Sequence, residues 1–230
     1  MEKINMEQYK NYIFDLYGTL VDIHTDEERD EAWEKMTLLY GYAGAWFQPD
    51  ELRNSFIRHK KEETDNVKAK CVEGTEIEIN IEAVFRKLYE EKGIKAENML
   101  VLQTCQFFRV LTTDYIRLYP GTRRYLETLK KSKKRIYLLS NAQRCFTEYE
   151  LRLLDLEKCF DGIFLSSDYG VKKPDAAFFK HMLQETGIDK HESIMIGNDM
   201  ACDILAARNI GLDAFYVHTN LSPREDEKFF

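Results

Sequence analysis

The stretch "YIFDLYGTLVD", residues 12–22, decides how the rest of the chain is interpreted. Its first three residues are aromatic or β-branched, which is typical of a buried strand. The apolar run then ends at a carboxylate, Asp15, and Gly18-Thr19 turns the chain. A carboxylate in this place needs a chemical reason, and so does Tyr17, the tyrosine two residues later.

Four further short apolar runs have the same character. They are "RIYLLSN" (135–141), "GIFLSSD" (162–168), "SIMIGND" (193–199) and "DAFYVHT" (213–219). Helical patterns separate them, at Arg144 to Leu156, Pro174 to Thr186, and Ala201 to Asn209. Strand and helix alternate, which predicts right-handed βαβ units and an α/β fold with a doubly wound, Rossmann-like parallel sheet.

The long interval between the first and second runs breaks this alternation. Segments such as "PDELRNSFIRHKKEE" (49–63) place apolar residues three and four positions apart, which indicates consecutive amphipathic helices. Asn80 is expected to cap one of these helices. We therefore predict a catalytic core formed by residues 1–22 and 116–230, and an inserted all-helical cap domain formed by residues 23–115.

Composition excludes several classes of function. The 230 residues include 40 acidic and 33 basic side chains, and the net charge of −7 argues against a nucleic-acid partner. No apolar window is long enough for a membrane span. Five cysteines without a CxxC pair fit reduced thiols. We expect a cytoplasmic protein with a small-molecule substrate, and the sequence leaves its oligomeric state open.

Polar residues follow the predicted strands at the ends where ligands bind in an open parallel sheet. Each of them alone has an ordinary explanation in a turn or a helix cap. Their order at successive strand ends favours one shared crevice. The residues are Asp15 and Thr19, then Ser140 and Asn141, then Lys173, and finally Asn198, Asp199 and Asp203.

Four motifs in this order resemble those of the haloacid dehalogenase-like hydrolase superfamily. They are "FDLYGTLVD", "LLSNA", "SSDYGVKKPDAAFF" and "IGNDMACDILAARNIG". The match covers Tyr12 to Val21 and roughly Tyr119 to Val217, and the helical interval resembles the cap that this family inserts after its first motif. The resemblance implies hydrolytic chemistry at the crevice.

The resemblance also implies roles for the polar residues. Asp15 would be the nucleophile and form an aspartyl-phosphate, with Lys173 neutralising charge and Ser140 donating to a phosphoryl oxygen. Substrate contacts are expected from Gly18, Thr19 and Asn141, including the backbone N–H groups around Gly18 and Asn141.

A magnesium ion is the cofactor that the resemblance implies. Mg²⁺ would be held by Asp15, the backbone carbonyl of Tyr17 and Asp199. We choose Asp199 because its four-residue spacing to Asp203 fits one common form of the motif, and Asn198 is the alternative ligand. Asp203 would support the metal shell or Lys173.

Tyr17 departs from the phosphatase pattern, which usually has a second Asp there to protonate the leaving group. A phenol is a weak acid near neutral pH. The family's 2-haloacid dehalogenases carry a DxYGT motif, use no metal and hold the halide with an Arg early in the cap. Arg29 and Trp33 resemble that cradle only in part.

The sequence therefore favours a Mg²⁺-dependent phosphatase for a small phosphorylated metabolite. A 2-haloacid dehalogenase and a non-catalytic binding protein of the same fold are the alternatives.

Overall fold

In the computed structural model, which describes residues 6–223, five parallel strands form the central sheet: β1 (Asn11–Phe14), β4 (Arg135–Ser140), β5 (Gly162–Leu165), β6 (Ser193–Gly197) and β7 (Asp213–Tyr216). They lie side by side in the order β5-β4-β1-β6-β7. They coincide with the five apolar runs of the sequence, and the predicted doubly wound α/β sheet is confirmed. Residues 1–5 and 224–230, which the predicted core also includes, lie outside the described residues.

Both faces of the sheet are buried, which explains why the strands are continuously apolar. Successive side chains of a strand point to opposite faces. Tyr12 and Phe14 therefore join one buried cluster, which includes Leu126, while Ile13 joins a second cluster on the other face, which includes Phe178.

Two helices of the core, α6 (Arg144–Leu153) and α8 (Ala176–Thr186), begin and end close to the predicted positions. The other core helices are α5 (Thr122–Lys131), α7 (Ser166–Tyr169) and α9 (Ala206–Asn209). Helix α8 begins after Pro174 rather than at it, because Asp175 caps it by accepting a hydrogen bond from the Ala177 N–H at 2.8 Å.

The predicted helix from Ala201 to Asn209 divides into a π-helical segment, Met200–Leu205, followed by α9. The division arises because the carbonyl of Asp199 accepts from the N–H groups of both Asp203 and Ile204, at 2.9 and 3.3 Å.

Four helices form the cap: α1 (Asp30–Tyr42), α2 (Pro49–Lys68), α3 (Ile81–Glu91) and α4 (Asn98–Thr112). One aromatic residue from each, Trp33, Phe56, Phe85 and Phe108, meets the others in the centre, with ring centroids 5.1 to 5.7 Å apart in the closest pairs. The predicted cap of Asn80 is confirmed, because its side chain accepts from the Glu82 N–H at 2.9 Å.

Two strands, β2 (Val21–Thr25) and β3 (Thr113–Leu118), pair antiparallel and carry the chain into and out of the four helices. The last cap helix therefore ends at Thr112, inside the interval that we predicted to be all-helical. The reason is the sequence "TDYIRL", whose β-branched and aromatic residues suit a strand. The predicted limits of the cap, 23 and 115, fall inside this ribbon, and the division into two domains stays a prediction.

The cap also contacts the core at the loop that precedes Lys173. The N–H of Glu78 donates to the carbonyl of Gly170 at 3.0 Å, and the N–H of Lys172 donates to the carbonyl of Glu76 at 2.9 Å. Within residues 6–223, no helix is long and apolar enough to cross a membrane.

Candidate active site

Four of the predicted residues meet at the carboxyl ends of the strands. Lys173 lies at the centre: its ammonium donates to Asp15 Oδ1 at 2.8 Å, to Asp203 Oδ1 at 2.7 Å and to the carbonyl of Leu139 at 2.9 Å. The Ser140 hydroxyl donates to the same Asp15 oxygen at 3.1 Å. The structure thus brings together the predicted nucleophile, the hydroxyl donor, the cation and the predicted supporting carboxylate that the sequence placed in one crevice.

Burial and charge act in opposite directions on Lys173. Burial alone would lower the pKa of its ammonium, but Asp15 and Asp203 outweigh that effect and raise the pKa above its ordinary value. Burial raises the pKa of Asp203, and the ammonium of Lys173 opposes that rise. Lys173 is therefore a fixed positive charge at neutral pH.

Asn141 holds the backbone of Lys173 in place. Its side-chain amide donates to the Lys173 carbonyl at 2.8 Å and accepts from the Lys173 N–H at 2.8 Å. The side chain predicted to bind substrate is thus occupied in positioning the cation. The Asn141 backbone N–H has no acceptor among the described residues.

The loop after Asp15 is built around Gly18. Gly18 has φ +83°, and a Cβ there would lie 2.2 Å from Asn198 Nδ2, so only glycine fits. Its N–H donates to the Val21 carbonyl at 2.8 Å, which corrects the expectation that this group is open to a substrate oxygen. In the described chain, the N–H groups of Leu16 and Tyr17 have no acceptor. They belong to the backbone N–H groups that the sequence analysis expected around Gly18, although it did not name the residues.

Thr19 joins the first and fourth motifs. Its hydroxyl lies 3.3 Å from Asp15 Oδ2 and 3.1 Å from Asn198 Oδ1. The structure thus places this side chain between a carboxylate and an amide, where we had expected a substrate contact. Asp15 Oδ2 has no other partner among residues 6–223, so it is the freer of the two carboxylate oxygens.

Asn198 and Asp199 both line the cleft, and they differ in what holds them. Asp199 Oδ1 accepts from the N–H groups of Ala201 and Cys202, at 2.8 and 2.9 Å, and so caps the π-helical segment. Asp203 Oδ2 in turn accepts from the Asp199 N–H at 3.0 Å. A Cβ on Gly197 would lie 2.2 Å from that Asp203 oxygen, so glycine is needed before Asn198 as well.

A segment near the end of the chain, Thr219 to Pro223, forms one wall of the cleft. The Thr219 hydroxyl donates to the Gly18 carbonyl at 2.7 Å, and the Asn198 amide donates to the Leu221 carbonyl at 3.1 Å. Leu221 and Pro223 both line the cleft, which has a volume of about 200 Å³. Sequence reasoning missed this wall, because "TNLSP" carries no motif.

The residues that line the cleft give it a net negative charge. Asp15, Asp199 and Asp203 contribute three carboxylates and Lys173 one ammonium. Apart from the thiol of Cys202, the atoms in the cleft that could ligate a metal are mostly oxygens, which fit a hard divalent cation such as Mg²⁺. In residues 6–223, no three His, Cys, Asp or Glu side chains are grouped to hold a metal by themselves. A backbone carbonyl or an amide oxygen would have to complete the ligand set.

The Tyr17 side chain is bonded within the protein. Its hydroxyl donates to Glu150 and lies 2.9 Å from the Thr147 hydroxyl, both on α6. Burial, and then the charge of Glu150, raise the pKa of this phenol far above its ordinary value. Tyr17 is therefore a poorer acid here than a free tyrosine.

Arg29 and Trp33, which resemble the halide-binding residues of the dehalogenases only in part, do not line the cleft. Arg29 forms an ion pair with Asp114, and Trp33 donates to the Glu27 carbonyl at 2.9 Å.

Comparison with known proteins agrees with this architecture. The chain is 29% identical over 98 residues to glyceraldehyde 3-phosphate phosphatase of Pyrococcus abyssi, a match that covers 43% of this chain and 41% of that protein. The chain thus spans less than half the length of this relative. It is 23% identical over 209 residues to the pyrimidine 5'-nucleotidase PynA of Streptococcus pneumoniae, covering 90% of this chain and 83% of that one.

Two solved structures share the fold. A 2-haloacid dehalogenase from Pseudomonas syringae has a TM-score of 0.61 at 19% identity, covering 96% of this chain and 91% of that one. The hydrolase YfnB from Bacillus subtilis, bound to magnesium, has a TM-score of 0.52 at 18% identity, covering 93% and 91%. One family model, that of the haloacid dehalogenase-like hydrolases, matches residues 9–211. With this match and the four motifs at the ends of the strands, the chain belongs to the haloacid dehalogenase-like hydrolase family.

Proposed function

We propose that this hydrolase is a Mg²⁺-dependent phosphatase that acts on a small phosphorylated metabolite. The observation that carries the proposal is the environment of Asp15. One of its oxygens is held by Lys173 and Ser140, and the other is left comparatively free. The phosphatase names of the glyceraldehyde 3-phosphate and nucleotide relatives support the same class of substrate.

The chemistry follows from these contacts. Asp15 Oδ2 would attack phosphorus as the bond from phosphorus to the leaving oxygen breaks, which gives an aspartyl-phosphate and an oxyanion that takes a proton from water to become the released alcohol. Water would then hydrolyse this acyl phosphate, releasing phosphate and restoring the Asp15 carboxylate. Lys173 offsets the negative charge of the phosphoryl group, and the N–H groups of Leu16, Tyr17 and Asn141 are available for its oxygens.

The ligand set proposed for Mg²⁺ is the Asp15 carboxylate, the Tyr17 carbonyl and Asp199, with the Asn198 amide oxygen as the alternative. When bound, the ion would offset charge on the phosphoryl group as a Lewis acid. The excess of carboxylates over ammonium groups in the cleft supports this assignment.

A cytoplasmic location belongs to the same proposal. All five cysteines are free thiols in the structure, which is consistent with a reducing compartment.

The test is a hydrolysis screen of aryl, acyl, sugar and nucleotide phosphates and of 2-chloropropionate, each with Mg²⁺ and with excess chelator. Phosphate release that requires Mg²⁺ is the expected result. Asp15→Asn should abolish it, because a neutral amide is no nucleophile, whereas Asp50→Asn on the exposed start of α2 should not.

Two other outcomes would replace the proposal. Halide release from 2-chloropropionate in the presence of chelator would identify a dehalogenase. Turnover of none of these compounds, combined with binding of inorganic phosphate, would indicate a non-catalytic binding protein.

A further inference from the structure

We propose that Tyr17, Glu150 and Arg109 form a latch that connects the cap to the catalytic loop and fixes the backbone of Tyr17 in its working position. The three residues come from three places: the loop after β1, helix α6 of the core and helix α4 of the cap. The proposal makes Tyr17 a positioning residue rather than an acid. Only the kinetic test of this proposal rests on the proposed phosphatase activity.

The latch is built from buried, directional contacts. The Tyr17 hydroxyl donates to one oxygen of Glu150, and Arg109 Nε donates to the other oxygen at 2.6 Å. The side chains of Arg109 and Glu150 are only 16% and 6% exposed. Hydrogen bonds to charged groups in a buried site are stronger than neutral ones and hold their partners in one geometry.

The guanidinium of Arg109, on the cap helix α4, also lies over two aromatic rings of the core. Its central carbon lies 5.7 Å from the Tyr17 ring centroid and 5.2 Å from that of Phe146. Phe146, on α6, is packed in the same hydrophobic cluster as the interior of the cap. Displacement of α4 would therefore remove both the ion pair of Glu150 and the cover of Tyr17.

The latch acts on the candidate site through the backbone of Tyr17. The Tyr17 N–H is one of the two loop donors that have no acceptor among the described residues, and Tyr17 lines the cleft beside Asp15. A side chain that is tied at its hydroxyl restricts the rotation of the peptide groups on either side. Preorganised donors stabilise developing charge best, because they need no rearrangement during the reaction.

The first test is amide hydrogen exchange of the whole protein, which needs neither substrate nor activity. Tyr17→Phe is expected to speed exchange in peptides covering residues 15–21 by about tenfold or more, the size expected for a lost hydrogen bond to a charged acceptor. Tyr149→Phe is the matched control, because Tyr149 lies on the same helix and is 46% exposed. Unchanged exchange in Tyr17→Phe would overturn the latch, whatever the protein hydrolyses.

The second test asks whether Tyr17 and Glu150 act as one unit. In the phosphatase assay, Tyr17→Phe and Glu150→Gln should each lower kcat for an aryl phosphate by about tenfold with a smaller change in KM. The double variant should be no worse than the poorer single variant. If the fold-losses in kcat of the two single variants multiply in the double variant, Tyr17 and Glu150 have independent roles and the proposal is contradicted.

A purely structural role predicts a different pattern. The variants would then unfold at lower temperature, while kcat per folded molecule and exchange at residues 15–21 below the unfolding transition would stay at wild-type values. Since Glu150→Gln leaves Arg109 without its charge partner, thermal unfolding of every variant is measured first. If Glu150→Gln does not fold, Thr147→Val replaces it in the cycle with Tyr17→Phe, because Thr147 is the other partner of the Tyr17 hydroxyl.

Discussion

The ammonium of Lys173 lies 2.8 Å from the carboxylate of Asp15, and both side chains are buried at the ends of the strands. The same ammonium lies 2.7 Å from Asp203, so one cation serves two carboxylates. Removing it would leave two buried negative charges with no partner of opposite sign.

Lys173→Met is therefore expected to destabilise the protein as well as inactivate it. Breaking a buried ion pair by removing one member costs about 3–5 kcal/mol, which should appear as a lower free energy of unfolding in urea. Lys172→Met is the control, because the neighbouring lysine has no ion pair among the described residues. Equal stability of the two variants would mean that the charges of Asp15 and Asp203 are compensated in another way.

Asp199→Asn separates metal binding from helix capping. Asparagine caps a helix about as well as aspartate, so the contacts to Ala201 and Cys202 should survive and stability should change little. Loss of the carboxylate should raise the Mg²⁺ concentration required for half-maximal activity by about tenfold or more. Asp189→Asn is a matched cap replacement away from the cleft, since Asp189 caps the segment Lys190–Glu192.

Asn198→Ala completes this comparison. Asn198 also holds Thr19 and the Leu221 carbonyl, so its loss should affect substrate binding more than Mg²⁺ dependence. If instead Asn198→Ala shifts the Mg²⁺ requirement further than Asp199→Asn does, the amide of Asn198 is the ligand and Asp199 is only a cap.

The leaving group should depart without a proton from Tyr17. Its hydroxyl is bonded to Glu150, and burial together with that carboxylate raises the pKa of the phenol. General acid catalysis is worth about 10²–10⁴-fold, so alkyl phosphates should be slower than aryl phosphates by a factor of that order. The measurement is the slope of log kcat/KM against leaving-group pKa. Tyr17→Phe should keep the wild-type slope, and a steeper slope in that variant would restore Tyr17 as the acid.

Leu221→Ala should change substrate preference. Leu221 lines the cleft, whereas none of the cap residues 26–112 lies among the described residues that line it. Loss of this apolar wall should alter the ratio of kcat/KM between two phosphate esters of different leaving-group size by about tenfold. Leu38→Ala, which truncates an exposed leucine on α1, should leave the ratio unchanged.

The sequence predicted the sheet well because its strands are buried on both faces, so runs such as that at Tyr12 are apolar at every position. It failed at Thr113, where a half-exposed strand follows an amphipathic helix without a glycine or proline between them. In the candidate site, the sequence predicted that Asp15, Ser140 and Lys173 lie close together, because polar side chains that follow predicted strands are visible in sequence.

The partners of Tyr17 were not predictable in the same way. Glu150 and Arg109 lie on helices distant in sequence, and their charges look like ordinary solvated positions until α4 and α6 are packed together. The wall at Leu221 was missed for a related reason, since its position depends on contacts with Asn198 and Gly18 that no local pattern encodes.

The wall from Thr219 to Pro223 belongs to no helix or strand, yet it is attached to the loop that follows Asp15. Substitutions in such a segment disturb little of the folded framework. Thr219 and Asn220 provide the attachment, the latter through a 3.0 Å bond to Asp22. Leu221 and Pro223, which line the cleft with apolar side chains, are thereby free to diverge. We expect the inheritance of substrate preference among descendants of this protein to follow these two positions more closely than the far larger cap.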